Sequence, residues 1–262
     1  MQRRDDLTPA ESSTDVTRSD GHGWALWRFT RSTWRRFHDA WKQVPSAAWR
    51  RYLFTLIAGF LLCAAFVAVM VLYARSRVDD GLQQWDEGWL RAVERNGAMS
   101  FSNAILLESF GNLIYMIPLT AAAMVVAARA GRPLLAMSFP IAYVLCRPLV
   151  LLGWQLWHRP RPTLVAGGIA APGLHSFPSG HVALMLSVYG LLTYLWWCAA
   201  RHWSERAFAL VVLAALLWVT GWARVRLGSH WPSDVLSGYA VGLVWVAGVI
   251  AALRRAEKAG GR

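Results

Sequence analysis

Six long apolar runs limit what this chain can fold into more than any other feature of its sequence. A helix needs about 20 apolar residues to cross the hydrocarbon core of a bilayer. Six segments reach or nearly reach that length: residues 52–74, 110–128, 133–157, 182–200, 207–223 and 235–253. The first two contain no charged residue. The runs predict an all-α fold, a polytopic membrane protein with six transmembrane helices.

The low charge of the chain and its many tryptophans support a membrane location. Of 262 residues, 16% are charged and 16 are Trp, whereas a soluble domain has roughly a quarter charged residues. Tryptophan is enriched where membrane-spanning helices meet the lipid headgroups. The net charge of +12 is concentrated beside the apolar runs, so anionic headgroups explain it better than nucleic acid does. We therefore expect a membrane partner and no nucleic-acid partner.

The distribution of Lys and Arg predicts the orientation of the chain. Eighteen of these residues fall in residues 1–51, in the second and fourth connections between runs, and in the C-terminal tail, whereas eight fall in the other connections. Basic residues favour the cytoplasmic side of a membrane. Both termini are therefore predicted to be cytoplasmic, in a multi-pass inner-membrane protein whose first, third and fifth connections face outward.

The regions around the six runs are predicted to be a tail and surface helices. Residues 1–22 are polar, and we expect a disordered cytoplasmic tail. Residues 23–48 place aromatic side chains on one helix face and Arg28, Arg35 and Arg36 on the other, which predicts a basic amphipathic helix on the cytoplasmic membrane surface. The alternative is that this helix packs on another part of the protein. Residues 49–255 are then a six-helix membrane domain, residues 256–262 a cytoplasmic tail, and residues 79–97 a second surface helix on the outer side.

Polar residues concentrate in three segments at the predicted outer ends of the last four runs. They are His158-Arg159-Pro160-Arg161-Pro162, then Pro178-Ser179-Gly180-His181, then residues 224–234. In the second segment, Ser179 precedes an apolar run and is suited to the N-cap of its helix. Gly180 permits close backbone approach, and the free N–H groups of a helix N-terminus bind phosphate. His181 falls in the first turn, near the same anion.

The third segment combines a histidine, a carboxylate and an arginine. His230 and Asp234 are four residues apart, and a carboxylate at that spacing can accept a hydrogen bond from one imidazole nitrogen. The other nitrogen is then left as a nucleophile. Arg224 and Arg161 provide planar donors for phosphoryl oxygens. These residues predict a phosphoryl-transfer site that needs no metal or cofactor, and the three cysteines show neither metal nor disulfide spacing.

Together the three segments resemble the signature of the type 2 phosphatidic acid phosphatase superfamily, which includes vanadium haloperoxidases and glucose-6-phosphatase. That signature reads Lys-x6-Arg-Pro, then Pro-Ser-Gly-His, then Ser-Arg-x5-His-x3-Asp. The resemblance implies a helical core over about residues 50–255, like that of the haloperoxidases. It also implies that His230 is the nucleophile, Asp234 its orienting partner and His181 the general acid. The residues implied to hold the phosphoryl oxygens are Arg161, Ser179, Gly180 and Arg224.

Two positions depart from the family pattern. Ala223 replaces the serine before the motif arginine, and Trp154 replaces the lysine seven residues before Arg161. Arg147 lies seven residues further back on the same helix face, and two turns of helix span about 10.5 Å, which is too far for simple replacement. Arg159 is therefore predicted to provide the missing positive charge and to bind phosphate.

The predicted function is hydrolysis of a lipid phosphate or diphosphate through a phosphohistidine, with the active site facing the periplasm or the outside. Undecaprenyl diphosphate, phosphatidic acid, phosphatidylglycerol phosphate and lipid A are the candidate substrates, with a slight preference for a polyprenyl diphosphate. A phosphotransferase that passes the group to another lipid or a sugar is one alternative. A non-catalytic lipid-binding protein is another, because Trp154 replaces the expected lysine. The six runs disfavour a haloperoxidase, since they indicate lipid substrates.

Overall fold

A computed structural model describes residues 20–96, 99–169 and 175–260 and shows an all-α architecture over them. Nine α-helices follow one another in these ranges: α1 Asp20–Lys42, α2 Ser46–Ser76, α3 Gln83–Asn96, α4 Phe101–Glu108, α5 Leu113–Arg129, α6 Pro133–Leu156, α7 Gly180–Ala199, α8 Trp203–Arg226 and α9 Pro232–Ala259. A π-helical turn, Val78–Leu82, precedes α3, and a 3-10 turn, Ser109–Gly111, joins α4 to α5.

Six helical segments within the described residues are long and apolar enough to cross a membrane. They are α2, the combined segment Phe101–Arg129, and α6 to α9. This result confirms the prediction of an all-α protein with six transmembrane helices. The helices extend beyond the apolar runs at several ends because the helical backbone continues into polar flanks. The second span differs most, since it begins at Phe101 and contains the break between α4 and α5.

Small residues and internal hydrogen bonds hold the spans together. Where α2 crosses α9, a Cβ on Gly59 would lie 3.1 Å from the Cα of Gly248, so the two backbones approach closely, as small residues permit in membrane bundles. The fully buried indole of Trp245 donates to the Ala142 carbonyl at 2.9 Å. Polar groups in a bilayer require such internal partners because no water is present to replace them.

The N-terminal helix both packs on the bundle and presents an exposed aromatic end. Aromatic contacts run from α1 into α2. Trp41 and Trp49 meet edge to face with centroids 4.8 Å apart, and Trp49 stacks on Tyr52 at 5.8 Å. Arg129 of α5 donates to Thr33 at 3.1 Å. In contrast, Trp24 near the start of α1 is 66% exposed. The second half of α1 therefore contacts α2 and α5, while the start of the helix is exposed.

The helix bounds differ from the predicted segments at three places. Helix α1 begins at Asp20, inside the predicted tail 1–22, whereas residues 1–19 lie outside the described residues. Helix α2 begins at Ser46, so the first span starts within the predicted surface segment 23–48. Helix α9 continues to Ala259, so most of the predicted tail 256–262 is helical, since Ala and Lys favour helix. The second predicted surface helix, within 79–97, corresponds to α3.

Candidate active site

A cavity of about 540 Å³ opens at the end of the bundle where α6 and α8 end and α7 and α9 begin. The α4–α5 break also reaches this cavity. Its polar lining comes from the α4–α5 break, from α6, α7 and α8, and from the connections before α7 and α9: Glu108, Asn112, Arg147, Trp154, Arg161, His181, Arg224, Ser229 and His230. Apolar side chains complete the wall, namely Leu113, Ile114, Val150, Leu151, Ile169 and Leu184. The cavity therefore combines cationic side chains with apolar side chains that suit a hydrocarbon chain.

The Ser179-Gly180-His181 segment forms the start of α7 as predicted, with one difference. Ser179 occupies the N-cap position, but its hydroxyl makes no capping hydrogen bond. That oxygen is buried and has no hydrogen-bond partner among the described residues. Gly180 and His181 line the cavity, and the His181 Nε2–H donates to Asn112 Oδ1 at 2.7 Å. The first turn of α7 therefore brings helix N–H groups and an imidazole to the cavity together.

His230 is held by a partner that the sequence spacing did not indicate. Its ring is buried, and Nδ1 donates to the Ser176 carbonyl at 2.9 Å. The predicted partner, Asp234, lies further away than Ser176, with its Oδ2 3.6 Å from Nδ1. The prediction that Asp234 accepts the imidazole hydrogen bond is therefore corrected to a near contact. With the proton on Nδ1, the second nitrogen of a cavity-lining imidazole is left unprotonated.

Asp234 lies in the first turn of α9, and other donors bind its carboxylate. Its Oδ2 accepts from the Trp231 backbone N–H at 2.8 Å, and its Oδ1 accepts from Arg159 Nη1 at 2.7 Å. Its backbone carbonyl accepts from the Ser179 N–H at 2.9 Å. Asp234 thus joins the start of α9 to the start of α7, which are the two helix ends that present the histidines.

Arg159 binds Asp234 and is not among the residues that line the cavity. This placement corrects the prediction that Arg159 is a phosphate ligand. Its guanidinium is 3% exposed and bonds to two wholly buried carboxylates, Asp234 at 2.7 Å and Asp86 at 2.6 Å. It also lies over the rings of Trp157 and Trp231, at 4.8 and 5.2 Å from their centroids. Because two anions already neutralise this cation, its position in the fold is explained without a phosphate.

Asp86 is a buried member of this network that sequence reasoning missed. It lies in the first turn of α3 and accepts from the Ser233 N–H at 2.9 Å and the Ser233 Oγ–H at 2.6 Å. Burial raises the pKa of the Asp86 carboxyl, while hydrogen bonds from Ser233 and Arg159 oppose that rise. In the sequence this residue is one of several acids in a polar stretch with Asp79, Asp80 and Glu87, and nothing there distinguishes it.

Two arginines face the cavity as the sequence predicted. Arg161 Nη1 donates to the Ser229 carbonyl at 2.6 Å, and Arg224 pairs with Glu108. The Arg224 Nε is buried without a hydrogen-bond partner among the described residues. Burial first, and then the charge of Arg224, lower the pKa of Arg161 to about 10, so both remain cations at neutral pH. Burial, together with these two arginines, holds the pKa of His230 well below its usual value.

Arg147 is a further cation on the cavity wall. The sequence had suggested that Arg147 lies too far along its helix to replace the family lysine, and this expectation is revised. Val150 Cγ1 lies 3.4 Å from the position that a Cβ on Gly180 would take. Arg147 is three residues before Val150, which is about 4.5 Å along a helix. Trp154, where the family has lysine, also lines the cavity and donates from Nε1 to the Pro178 carbonyl at 3.1 Å. Arg147 lies within a membrane-spanning helix, where an ionisable residue is usually functional.

Glu108 and Asn112 are further site residues that the sequence analysis did not select. They flank the short break between α4 and α5 and contact Arg224 and His181 respectively. Their signal was the polar interruption 108–112 at the edge of the second apolar run. Within the described residues, no group of three or more His, Cys, Asp or Glu side chains could hold a metal ion.

Comparisons of the sequence and of the fold each find similar proteins. The family model described as the PAP2 superfamily matches residues 135–258. The Escherichia coli (strain K12) protein named "Putative undecaprenyl-diphosphatase YbjG" is 39% identical over 69 residues, which are 26% of this chain and 30% of that protein. A solved transmembrane PAP2 type phosphatidylglycerolphosphate phosphatase from Bacillus subtilis matches with a TM-score of 0.55 over 79% of this chain and 95% of that chain, at 21% identity. The structural likeness shows a shared fold.

All three polar segments of the cavity fall inside the matched residues 135–258. The order of the segments, the six-span fold and the family match agree with one another. Residues 135–258 match the PAP2 superfamily model, and the chain shares the fold of a solved transmembrane PAP2 type phosphatase.

Proposed function

We propose that this protein is an integral membrane lipid phosphatase that acts on a lipid phosphate or diphosphate through a phosphohistidine at His230. One observation supports this most strongly. The His230 ring is anchored at Nδ1 by the Ser176 carbonyl and lines a cavity that Arg161 and Arg224 also line. A neutral, fixed imidazole beside two cations is suited to attack phosphorus.

The proposed reaction has two steps. The arginines and the first N–H groups of α7 bind the phosphoryl oxygens, and the unprotonated His230 nitrogen attacks phosphorus as the bond to the leaving oxygen breaks. His181 enters this step as the imidazolium and donates a proton to that oxygen, so the ring becomes neutral and the lipid leaves as an alcohol or a lipid monophosphate. Water then attacks the phosphohistidine, His181 accepts a proton from it, and inorganic phosphate leaves. Asp234, 3.6 Å from His230 Nδ1, stabilises the ring while it carries the phosphoryl group.

The cavity favours a substrate with a hydrocarbon chain. Apolar side chains line the same cavity as the arginines, namely Leu113, Ile114, Leu151 and Leu184. The Escherichia coli relative bears the name of an undecaprenyl-diphosphatase, and the Bacillus subtilis structure that of a phosphatidylglycerolphosphate phosphatase. We place a polyprenyl diphosphate first, because Arg147 adds a further cation to the cavity lining that can bind a second phosphate. Phosphatidic acid, phosphatidylglycerol phosphate and lipid A are the other candidates.

A screen of purified protein in detergent, with phosphate release from each lipid as the readout, tests the proposal. Wild-type protein should release phosphate from at least one lipid, and His230→Ala should release none. His158→Ala is the matched control, because His158 is on the same face but is not a cavity-lining residue, and it should retain activity. Absence of release from every lipid would favour the non-catalytic alternative raised by Trp154. Phosphate kept in an organic product would identify a phosphotransferase.

The proposed chemistry requires no metal, since arginines and helix N–H groups provide the positive field. Activity should persist in EDTA and be inhibited by vanadate, whose trigonal-bipyramidal form resembles the transferring phosphoryl group. Loss of activity in EDTA that Mg²⁺ restores would contradict the proposed site.

We also propose that both termini are cytoplasmic and that the cavity faces outward, as the Lys and Arg distribution indicates. Thr163 lies in the exposed connection beside the site, and Gly260 follows α9 at the opposite end. Single cysteines at these two positions, in a chain with Cys63, Cys146 and Cys198 replaced, should react with an impermeant reagent from opposite sides. Reaction of the Thr163 position from the cytoplasm would overturn this orientation.

A further inference from the structure

We infer that Asp86 is a positioning residue for the reaction at His230, acting through Arg159 and the first turn of α9. The inference rests on the proposed function. Asp86 lies outside the residues that match the family model, 135–258, so that match assigns it no role. It belongs to α3, which is not one of the membrane-spanning helices of the described chain.

The contacts of Asp86 form a continuous path to the nucleophile. Its carboxylate is fully buried and binds Arg159 at 2.6 Å, and the other end of the same guanidinium binds Asp234 at 2.7 Å. Asp86 also binds both the N–H and the hydroxyl of Ser233, the residue before Asp234. Asp234 in turn lies 3.6 Å from His230 Nδ1. Two paths, one through a guanidinium and one through the helix backbone, therefore connect Asp86 to the carboxylate beside the nucleophile.

The network fixes position because the guanidinium is planar and rigid. Arg159 Nη1 binds Asp234 and Ser233, and its Nη2 binds Asp86, with Gln83 Oε1 at a weaker 3.3 Å. With both ends held, the fork cannot turn about its long axis. Without Asp86, the Nη2 end keeps only the hydrogen bond to Gln83 within the described part of the chain, and Asp234 is held by a cation that can rotate. A misplacement of about 1 Å can lower a rate about 100-fold.

Attachment of α3 to the bundle does not by itself explain Asp86. Leu90 and Val93 of α3 are buried in an apolar cluster with Val165, Val225 and Trp231, and these residues already attach the helix. A buried carboxylate adds little to such attachment because desolvation opposes its ion pair. Asp86 instead orients the Arg159 guanidinium and the Ser233 backbone N–H at the start of α9.

The test compares kcat and KM for the wild type and Asp86→Asn on the best lipid substrate of the screen. We expect Asp86→Asn to lower kcat by about 10- to 100-fold, with KM little changed, because Asp86 contacts no cavity-lining residue. Asp80→Asn is the matched control, since Asp80 is an exposed acid on the segment just before α3 and pairs with Arg77. Its kcat should equal that of the wild type. An active wild type with an unchanged kcat in Asp86→Asn would overturn the inference alone.

Two further variants separate positioning from stability. Leu90→Ala weakens α3 attachment without touching the network, so it should lower the apparent Tm while keeping kcat at assay temperatures below unfolding. An equal fall of kcat in Leu90→Ala would show that Asp86 acts only by attaching α3. If Asp86→Asn fails to fold, Ser233→Ala takes its place, because it removes one hydrogen bond to Asp86 and one to Arg159, and an unchanged kcat there would also refute the inference.

A double-mutant cycle tests whether Asp86 acts through Asp234. In an Asp234→Asn background the guanidinium no longer holds a carboxylate beside His230, so adding Asp86→Asn should reduce kcat by much less than it does alone. Fully additive losses would overturn the path through Arg159. A wild type without any turnover would overturn the proposed function and this inference with it, which distinguishes the two failures.

Discussion

Replacing Arg159 by Ala should destabilise the protein strongly and make its stability unusually dependent on pH. The substitution removes the cation that lies between Asp86 and Asp234, both of which are fully buried. From the sequence alone, where Arg159 is predicted to bind phosphate, the expected outcome is instead a loss of phosphate binding. The two expectations can be separated because one concerns unfolding and kcat, and the other concerns KM.

The magnitude follows from the burial of the three groups. Breaking a buried ion pair by removing one partner costs about 3–5 kcal/mol, because an uncompensated charge remains. Here one removal leaves two carboxylates without their shared guanidinium, so we expect at least the lower end of that range. Whole-protein stabilities are typically about 5–15 kcal/mol. Arg159→Ala should therefore lose a large fraction of the total.

The pH dependence has a definite sign. Burial raises the pKa of Asp86 above its usual value, and Arg159 opposes that rise in the wild type. Without Arg159 the folded-state pKa rises further. A carboxyl whose folded-state pKa exceeds its unfolded value stabilises the fold below the unfolded pKa and loses this effect as pH rises through the folded pKa. Arg159→Ala should therefore be closest to wild-type stability in mild acid and furthest from it in alkaline buffer.

The assay is thermal unfolding in detergent at several pH values, combined with kcat and KM at a temperature where every variant is folded. Arg91→Ala is the control, because Arg91 forms an exposed ion pair with Glu87 on α3, and such pairs contribute little. An Arg159→Ala protein with wild-type Tm and a raised KM would show that Arg159 contacts phosphate, and would refute this reasoning.

Four other changes have outcomes that the cavity predicts. Arg147→Ala should lower kcat/KM on a lipid diphosphate more than on a lipid monophosphate, and equal losses would remove its assignment to a second phosphate. Gly153→Ala should overpack the contact with Pro178, costing about 1–3 kcal/mol of stability and lowering kcat; an unchanged Tm would contradict the packing. His181→Ala should lose more activity on an alkyl phosphate lipid than on p-nitrophenyl phosphate, since the alkoxide needs the proton, and equal losses would exclude its role as leaving-group acid. Because the pKa of His230 is held well below its usual value, the ring stays neutral as pH falls, and any acid limb of kcat/KM due to this group should lie below about pH 6.5.

The amino-acid sequence was sufficient to predict the six spans and the motif residues that face the cavity. Hydrophobic length is a local property, and a bilayer requires each spanning segment to satisfy its own backbone hydrogen bonds. The apolar runs therefore predict helices without knowledge of their neighbours. The segments containing Arg161, His181, Arg224 and His230 lie at predicted helix ends on one side of the membrane, and for that reason their meeting at one cavity could be expected.

The partners of these residues could not be read from sequence, because they depend on how loops and helix faces meet. Ser176, which binds His230 Nδ1, lies in the connection after α6, and no periodicity describes the path of that connection. Asp86 and Asp80 look alike in the sequence, yet the packing of α3 buries one and leaves the other exposed.

Arg159 and Arg147 show the same limit. The sequence predicted that Arg159 binds phosphate and that Arg147 is too distant, whereas Arg147 lines the cavity and Arg159 does not. Arg159 appeared closer to the motif along the chain, but the fold turns it toward two buried carboxylates. Arg147 appeared too distant, but α7 begins at the level of Val150, which brings that helix turn to the cavity wall. Spacing along one helix measures distance within that helix alone. Which side chains share a cavity depends on the relative height of neighbouring helices, and only the packed structure establishes it.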